Sequence, residues 1–281
     1  VITHTPLTVS IGSEVQGADL DHLDAATADA IYELLIERAV LVFRDQELRP
    51  GAHVALAESF GPLTPLHPLY DHVEGYPIAR IRTDLAHPPE SEIWHSDLSC
   101  RAQPPFVSVL RAAELPPVGG DTLWADLRAV HDALPADLRD AVAELRAEHT
   151  LEHGFRFLAA TGQTDRDDAL ARTDRSANSA VHPVIVDHPA SGRRIVYVND
   201  SFTTRLLDVD DTTSASLLAR LLDLVRHPRF HVRVRWQPGT VVIWDNWATQ
   251  HFAVGDYFPA HEREVQRITV ATDRRSRPFG T

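Results

Sequence analysis

The chain has no methionine and one cysteine, Cys100. A lone thiol cannot form an internal disulfide, so a packed core must hold the fold, as is usual in a reducing cytoplasm; a cytoplasmic location is the expectation. Cys100 itself reads as a small core residue ahead of a pocket wall. No apolar run is long enough to span a bilayer, and Val1-Ile2-Thr3-His4 has neither the basic nor the apolar region of a signal peptide. Positive charge is in deficit: 27 Lys and Arg against 40 Asp and Glu leave a formal net charge of −13 at pH 7. Such a surface repels phosphate backbones, which argues against nucleic acid and anionic membranes as partners and leaves room for a small anion in a locally basic pocket. There is no Gly-x-Gly-x-x-Gly and no βαβ rhythm, so a nucleotide-binding sheet is disfavoured.

At 281 residues and 43% apolar, the chain can bury a large core. Nothing divides it, so a single domain over 1–281 is expected. Helical spacing predicts helices over Ala26–Arg38, Gly51–Phe60, Pro135–Glu148 and Thr212–Val225. Strands are expected at Ala39–Phe43, Tyr76–Thr83, Phe106–Ala112, after Gly119-Gly120, at Val181–Val186, Ile195–Val198 and Val241–Trp244, and at the strictly alternating His231–Trp236. Many short strands with peripheral helices imply a mainly β fold of two packed sheets or a jelly-roll barrel. Between 151 and 180 the pattern dissolves into polar residues, which suggests a lid or surface insertion.

Three His-x-Asp/Glu triplets occur, where chance alone supplies roughly two. In His22-Leu23-Asp24 the aspartate stands where it can cap the first helix, and His72-Val73-Glu74 leads into a turn; both read as structural. His95-Ser96-Asp97 differs in context. It lies between the Pro-rich segments 86–92 and 104–105, and in an extended chain its His and Asp project to one side. Far downstream stands His251. Two imidazoles and a carboxylate can hold one face of an iron(II) ion and leave the other open to a cosubstrate and dioxygen. Arg263 and Arg267, four apart in an alternating segment, face the same way; Asp245, Asp256, Glu262 or a ligand carboxylate are the candidate counter-ions.

Trp94-His95-Ser96-Asp97, Gly119-Gly120-Asp121-Thr122-Leu123-Trp124, the segment from Asn199 to Arg205, and Trp244-Asp245-Asn246 leading to Thr249-Gln250-His251 closely resemble the taurine/2-oxoglutarate dioxygenase family, nearly end to end. The resemblance implies a double-stranded β-helix core, iron(II) on His95, Asp97 and His251, and 2-oxoglutarate and O2 as cosubstrates. It also implies that Arg263, helped by Thr122, seats the distal carboxylate of 2-oxoglutarate. On the substrate side it implies His67, Tyr70 and Arg267 for a small anion, the amide of Leu98, and Phe155 and Phe202 as apolar walls. Ser91 stands where the taurine-oxidising members carry an Asn, Cys100 replaces an aromatic, and one extra residue lies between Tyr257 and Arg263. The expected activity is oxidation of taurine or a short alkanesulfonate to an aldehyde and sulfite, with succinate and carbon dioxide as coproducts. Alternatives are the same chemistry on an alkyl sulfate, aryloxy acid or amino-acid-like metabolite, or a metal-binding jelly roll or zinc hydrolase. A homo-oligomer is the expected assembly.

Overall fold

The computed structural model describes residues 1–66, 70–153 and 178–280, so His67, Phe155 and most of the 151–180 segment lie outside the described residues. Its strands in chain order are β1 (Thr3–Pro6), β2 (Ser13–Gln16), β3 (Val40–Phe43), β4 (Asp71–His72), β5 (Ala79–Thr83), β6 (Val107–Glu114), β7 (Thr122–Asp126) and β8 (Arg146–Thr150). There follow β9 (Ser179–Pro183), β10 (Ile185–Asp187), β11 (Arg194–Val196), β12 (Thr203–Leu206), β13 (His231–Val234), β14 (Val241–Asp245), β15 (Thr249–Ala253) and β16 (Arg263–Val270). A large sheet runs β1-β2-β3-β14-β6-β16-β5-β4, and a smaller one runs β13-β7-β15. β6 leads from the large sheet to β7 in the small one, and β13 to β16 alternate small, large, small, large. Two facing sheets linked by such crossings form a jelly roll.

Side-chain alternation gives each face of the large sheet its task. Val241 and Ile243 of β14 pack with Ile31, Leu35 and Leu56 from the helices Ala25–Arg38 and Pro50–Glu58. Val242 and Trp244 instead join Trp124, Val232 and Val234 of the small sheet. Covered on both sides, β3 and β14 are buried at every position, which is why β3 and Val241–Trp244 of β14 are unbroken apolar runs. In β13, by contrast, Val232 and Val234 are buried and Arg233 is exposed.

Asp24 caps the first helix by accepting from the Thr27 N–H at 2.7 Å, a contact worth about 1 kcal/mol. His22 beside it is exposed and pairs with Asp19 and Asp21. His72 ends the short edge strand β4, before a turn at Gly75. Asp24 thus has the capping task expected of it.

Two expectations fail. The helix predicted over Pro135–Glu148 ends at Val142, and Arg146–Thr150 is β8, paired with β9 and β12. Its Ala147 and His149 are buried and Arg146 is exposed, so a period-two pattern and cross-strand pairing override local helix propensity. The single strand predicted over Val181–Val186 is two strands in different sheets, β9 and β10. Pro183, which has no N–H to continue a ladder, stands at the break.

Candidate active site

The corner between β14 and β15 carries the site. Asp245 Oδ1 accepts from the N–H groups of Trp247 and Ala248, both at 3.0 Å, and so turns the chain sharply from the large sheet to the small one. β15 then sets His251 opposite Trp124 of β7 on the interior face. His95 reaches it through a one-residue antiparallel bridge, the two residues exchanging N–H···O bonds of 3.1 and 2.8 Å. The extended geometry expected for both residues of the pair holds for His95 but stops at Asp97, which opens a turn whose next residue, Leu98, has φ of 50°.

The three side chains nevertheless converge. Asp97 Oδ1 lies 3.9 Å from His95 Nε2 and 4.0 Å from His251 Nε2, and the imidazole centroids are 4.0 Å apart. Their potential ligand atoms all fall within 4.8 Å of one another, and no other such trio occurs among the described residues. His95 Nδ1 lies 2.8 Å from the carbonyl of Ile93; as a donor there it leaves Nε2 as the lone-pair nitrogen toward Asp97. Burial lowers the pKa of His95 and pushes that of His251 well below the usual value, so both are neutral, the form that binds a metal. Burial by itself would raise the Asp97 carboxyl; the Arg267 guanidinium above all, with a 3.1 Å hydrogen bond from Ser108 Oγ, brings it down to about 2. Two neutral nitrogens and one carboxylate oxygen are the donor set that suits iron(II).

Arg263 and Arg267 share the inner face of β16 with Val265, which packs in the inner core, while Ile268 and Val270 join the outer one. None of the three proposed carboxylates meets Arg263: Asp245 lies against His188, Asp256 accepts from the Gly120 N–H, and Glu262 pairs with Arg82. Arg263 stands instead over the Trp236 ring, 5.6 Å from its centroid, and its Nε and Nη2 are buried without a hydrogen-bond partner. Burial lowers the pKa of its guanidinium, an effect that Tyr257 partly offsets. Trp236 also donates to Thr122 Oγ1 at 3.0 Å, so Thr122 and Arg263 meet at one corner. Gly120, at φ of 70°, opens that corner: a Cβ there would stand 3.3 Å from Arg263 Cδ. Arg267 is paired, with its Nη1 2.8 Å from Asp97 Oδ1 and its guanidinium carbon 5.6 Å from the Tyr70 ring centroid.

The profile of the "Taurine catabolism dioxygenase TauD, TfdA family" matches residues 3–269. This chain belongs to that family. An α-ketoglutarate-dependent sulfate ester dioxygenase of Pseudomonas putida is 35% identical over 95% of this chain and 88% of its own. An alkylsulfatase of Acinetobacter baylyi is 34% identical over 94% of this chain and 83% of its own. The crystal structure of a taurine dioxygenase from Burkholderia xenovorans superimposes with a TM-score of 0.82 at 32% identity, covering 99% of this chain and 94% of that one. As a TauD/TfdA dioxygenase the protein uses iron(II), 2-oxoglutarate and dioxygen.

The other residues singled out in the sequence are placed less uniformly. Leu98 packs on a small cluster of Cys100, Leu151 and Phe202, in which Cys100 is fully buried as a core residue. The Ser91 carbonyl accepts from the Ala253 N–H at 2.9 Å and edges the site through its backbone. Sequence reasoning missed Trp236, Tyr257, Ser108 and Asn246. Of these only Asn246 carries a sequence signal, its place in the Trp-Asp-Asn motif.

Proposed function

We propose that His95, Asp97 and His251 hold the iron of this dioxygenase, that Arg263 and Thr122 seat the distal carboxylate of 2-oxoglutarate, and that Arg267, Tyr70 and His67 receive a small sulfur oxyanion. The substrate's alkyl chain then lies against Leu98, Phe155 and Phe202, with Ser91 at the rim. The observation that carries this reading is the buried Arg263 guanidinium with two unpartnered nitrogens. Unpaired buried charge is expensive, and a planar carboxylate supplies both the counter-charge and two acceptors. A zinc hydrolase has no use for such an anchor.

Bound together, iron(II), 2-oxoglutarate and dioxygen supply the oxidation, and 2-oxoglutarate leaves as succinate and carbon dioxide. The chain's own residues supply position. Arg267 fixes the oxyanion beside the metal ligands, so the carbon bearing that group is the one presented for hydroxylation. A hydroxylated sulfonate carbon collapses to aldehyde and sulfite; a sulfate ester gives aldehyde and sulfate. Cys100, Leu151 and Phe202 form an apolar cluster, and Ser91 stands where the taurine-oxidising members carry an amine-orienting Asn. These features suit an uncharged alkyl tail better than the ammonium of taurine, so short alkanesulfonates come first. Sulfate esters are the second reading, favoured by the names of the Pseudomonas and Acinetobacter relatives.

Iron-loaded protein with 2-oxoglutarate and oxygen, offered alkanesulfonates, taurine, alkyl sulfates and aryloxy acids, is expected to release sulfite fastest from an alkanesulfonate. Sulfate and aldehyde from alkyl sulfates, without sulfite from any sulfonate, would establish the second reading. Succinate formation stimulated only by a carboxylate would overturn both.

A further inference from the structure

We infer that Asn246 is the positioning residue for Asp97, fixing the carboxylate of the candidate metal site to the corner that leads into the strand of His251; this rests on the triad reading above. His95 and His251 are held to each other by backbone bonds in both directions. Asp97 has no such ladder. The chain has left the extended conformation there, and Leu98 after it takes a left-handed φ of 50°, which L-residues disfavour. Both main-chain polar groups of Asp97 turn inward, and one side chain receives them. The Asp97 N–H donates to Asn246 Oδ1 at 2.6 Å, and Asn246 Nδ2 donates to the Asp97 carbonyl at 3.0 Å. Asn246 Nδ2 also donates to the Pro105 carbonyl at 2.8 Å, and its own N–H donates to the Phe106 carbonyl at 2.8 Å.

Asn246 is fully buried, and both ends of its amide are engaged. No other side chain of this size offers an acceptor and two donors in one plane. Aspartate matches the shape but cannot donate to two carbonyls, and it would set a second carboxylate beside Asp97. Two smaller contacts complete the fit: Ser96 Oγ donates to the Thr249 carbonyl at 2.7 Å, and Ser108 Oγ holds Asp97 Oδ2, which turns Oδ1 toward the histidines. The Asn246 corner is itself backed by Asp245, whose Oδ2 lies 2.9 Å from His188 Nε2 in the core. The first and third candidate ligands are therefore placed by backbone pairing, and the second by a side chain five positions before His251.

The test is Mn(II) binding to the full chain, followed by electron paramagnetic resonance and by tryptophan quenching. Asn246→Ala and Asn246→Asp are expected to weaken Mn(II) binding about 10- to 100-fold, the usual cost of losing a group that orients a metal ligand, and to alter the spectrum of the bound ion. Ser214→Ala removes a buried hydroxyl that accepts from the Leu206 N–H far from the site; it should lower the melting temperature and leave Mn(II) affinity unchanged. Should Asn246→Ala fail to fold, the near-isosteric Asn246→Asp decides. Wild-type affinity and spectrum in a folded Asn246 variant, while His251→Ala loses Mn(II), would overturn the inference. Wild-type affinity in His251→Ala would instead overturn the triad.

Discussion

Arg263 and Arg267 stand four residues apart on one face of one strand, and their surroundings are opposite. Arg267 pairs with Asp97, and although burial opposes its charge, that carboxylate raises its pKa above the ordinary value. Arg263 is the more enclosed of the two, has an aromatic ring below it and two nitrogens without hydrogen-bond partners. Arg267 has a carboxylate partner within the protein; Arg263 meets Tyr257 but keeps two buried nitrogens unpartnered, the feature on which its proposed role rests. A shared strand face thus sets where two charges point, while the neighbouring loops decide which one meets a carboxylate of the protein.

The sharpest way to break this comparison is Arg267→Leu in the metal-free protein. Removing one partner of a buried ion pair typically costs about 3 to 5 kcal/mol, because the other is left uncompensated. Urea unfolding should show that loss, and Mn(II) should recover much of it by giving Asp97 a new counter-charge. Unchanged metal-free stability would mean that the pair does not hold the site.

Arg263→Leu should behave in reverse, with metal-free stability equal to or above that of the parent chain. Its 2-oxoglutarate affinity should fall by about 2 to 5 kcal/mol, roughly thirtyfold to several thousandfold. Calorimetric titration of the Mn(II)-loaded variant measures this, and a parental dissociation constant would exchange the roles of the two arginines.

The outer face of the same sheet offers a contrast without ligands. His53, buried in the helix Pro50–Glu58, lies with Nε2 3.1 Å from the Val109 carbonyl of β6, and burial lowers its pKa to about 4. A histidine held neutral in the fold contributes stability above its unfolded pKa near 6.5, and that contribution fades as pH falls toward 4. Denaturant unfolding should therefore show a His53 contribution of at most about 3 kcal/mol to the unfolding free energy lost between those pH values, and His53→Gln should flatten the slope. An equal slope in the variant would assign the acid sensitivity elsewhere.

The smallest effect belongs to Thr122. Its hydroxyl already accepts from Trp236, so Thr122→Ala should weaken 2-oxoglutarate by about 1 kcal/mol, roughly fivefold, well short of the Arg263 loss. A loss as large as that of Arg263→Leu would make Thr122 the principal anchor.

Much of this was legible in the residues themselves. Asp24 announced a helix start, the alternation of His231–Trp236 a half-buried strand, and the spacing of Arg263 and Arg267 a shared face, because each depends on neighbours within a few positions. The motifs around His95, Thr122, Asn199 and Trp244 carried the family. What depended on distant partners was not legible: β8 was hidden because its pairing with β9 and β12 outweighs a local helical pattern. The counter-ion of Arg267 was hidden because Asp97 is 170 residues away in sequence. Asn246 could be seen as part of a motif, yet its task follows only from the corner that brings its amide to the backbone of Asp97. Sequence sets which groups are available and which way a strand turns them; tertiary structure decides which charges meet, since burial and hydrogen bonding are properties of the assembled fold.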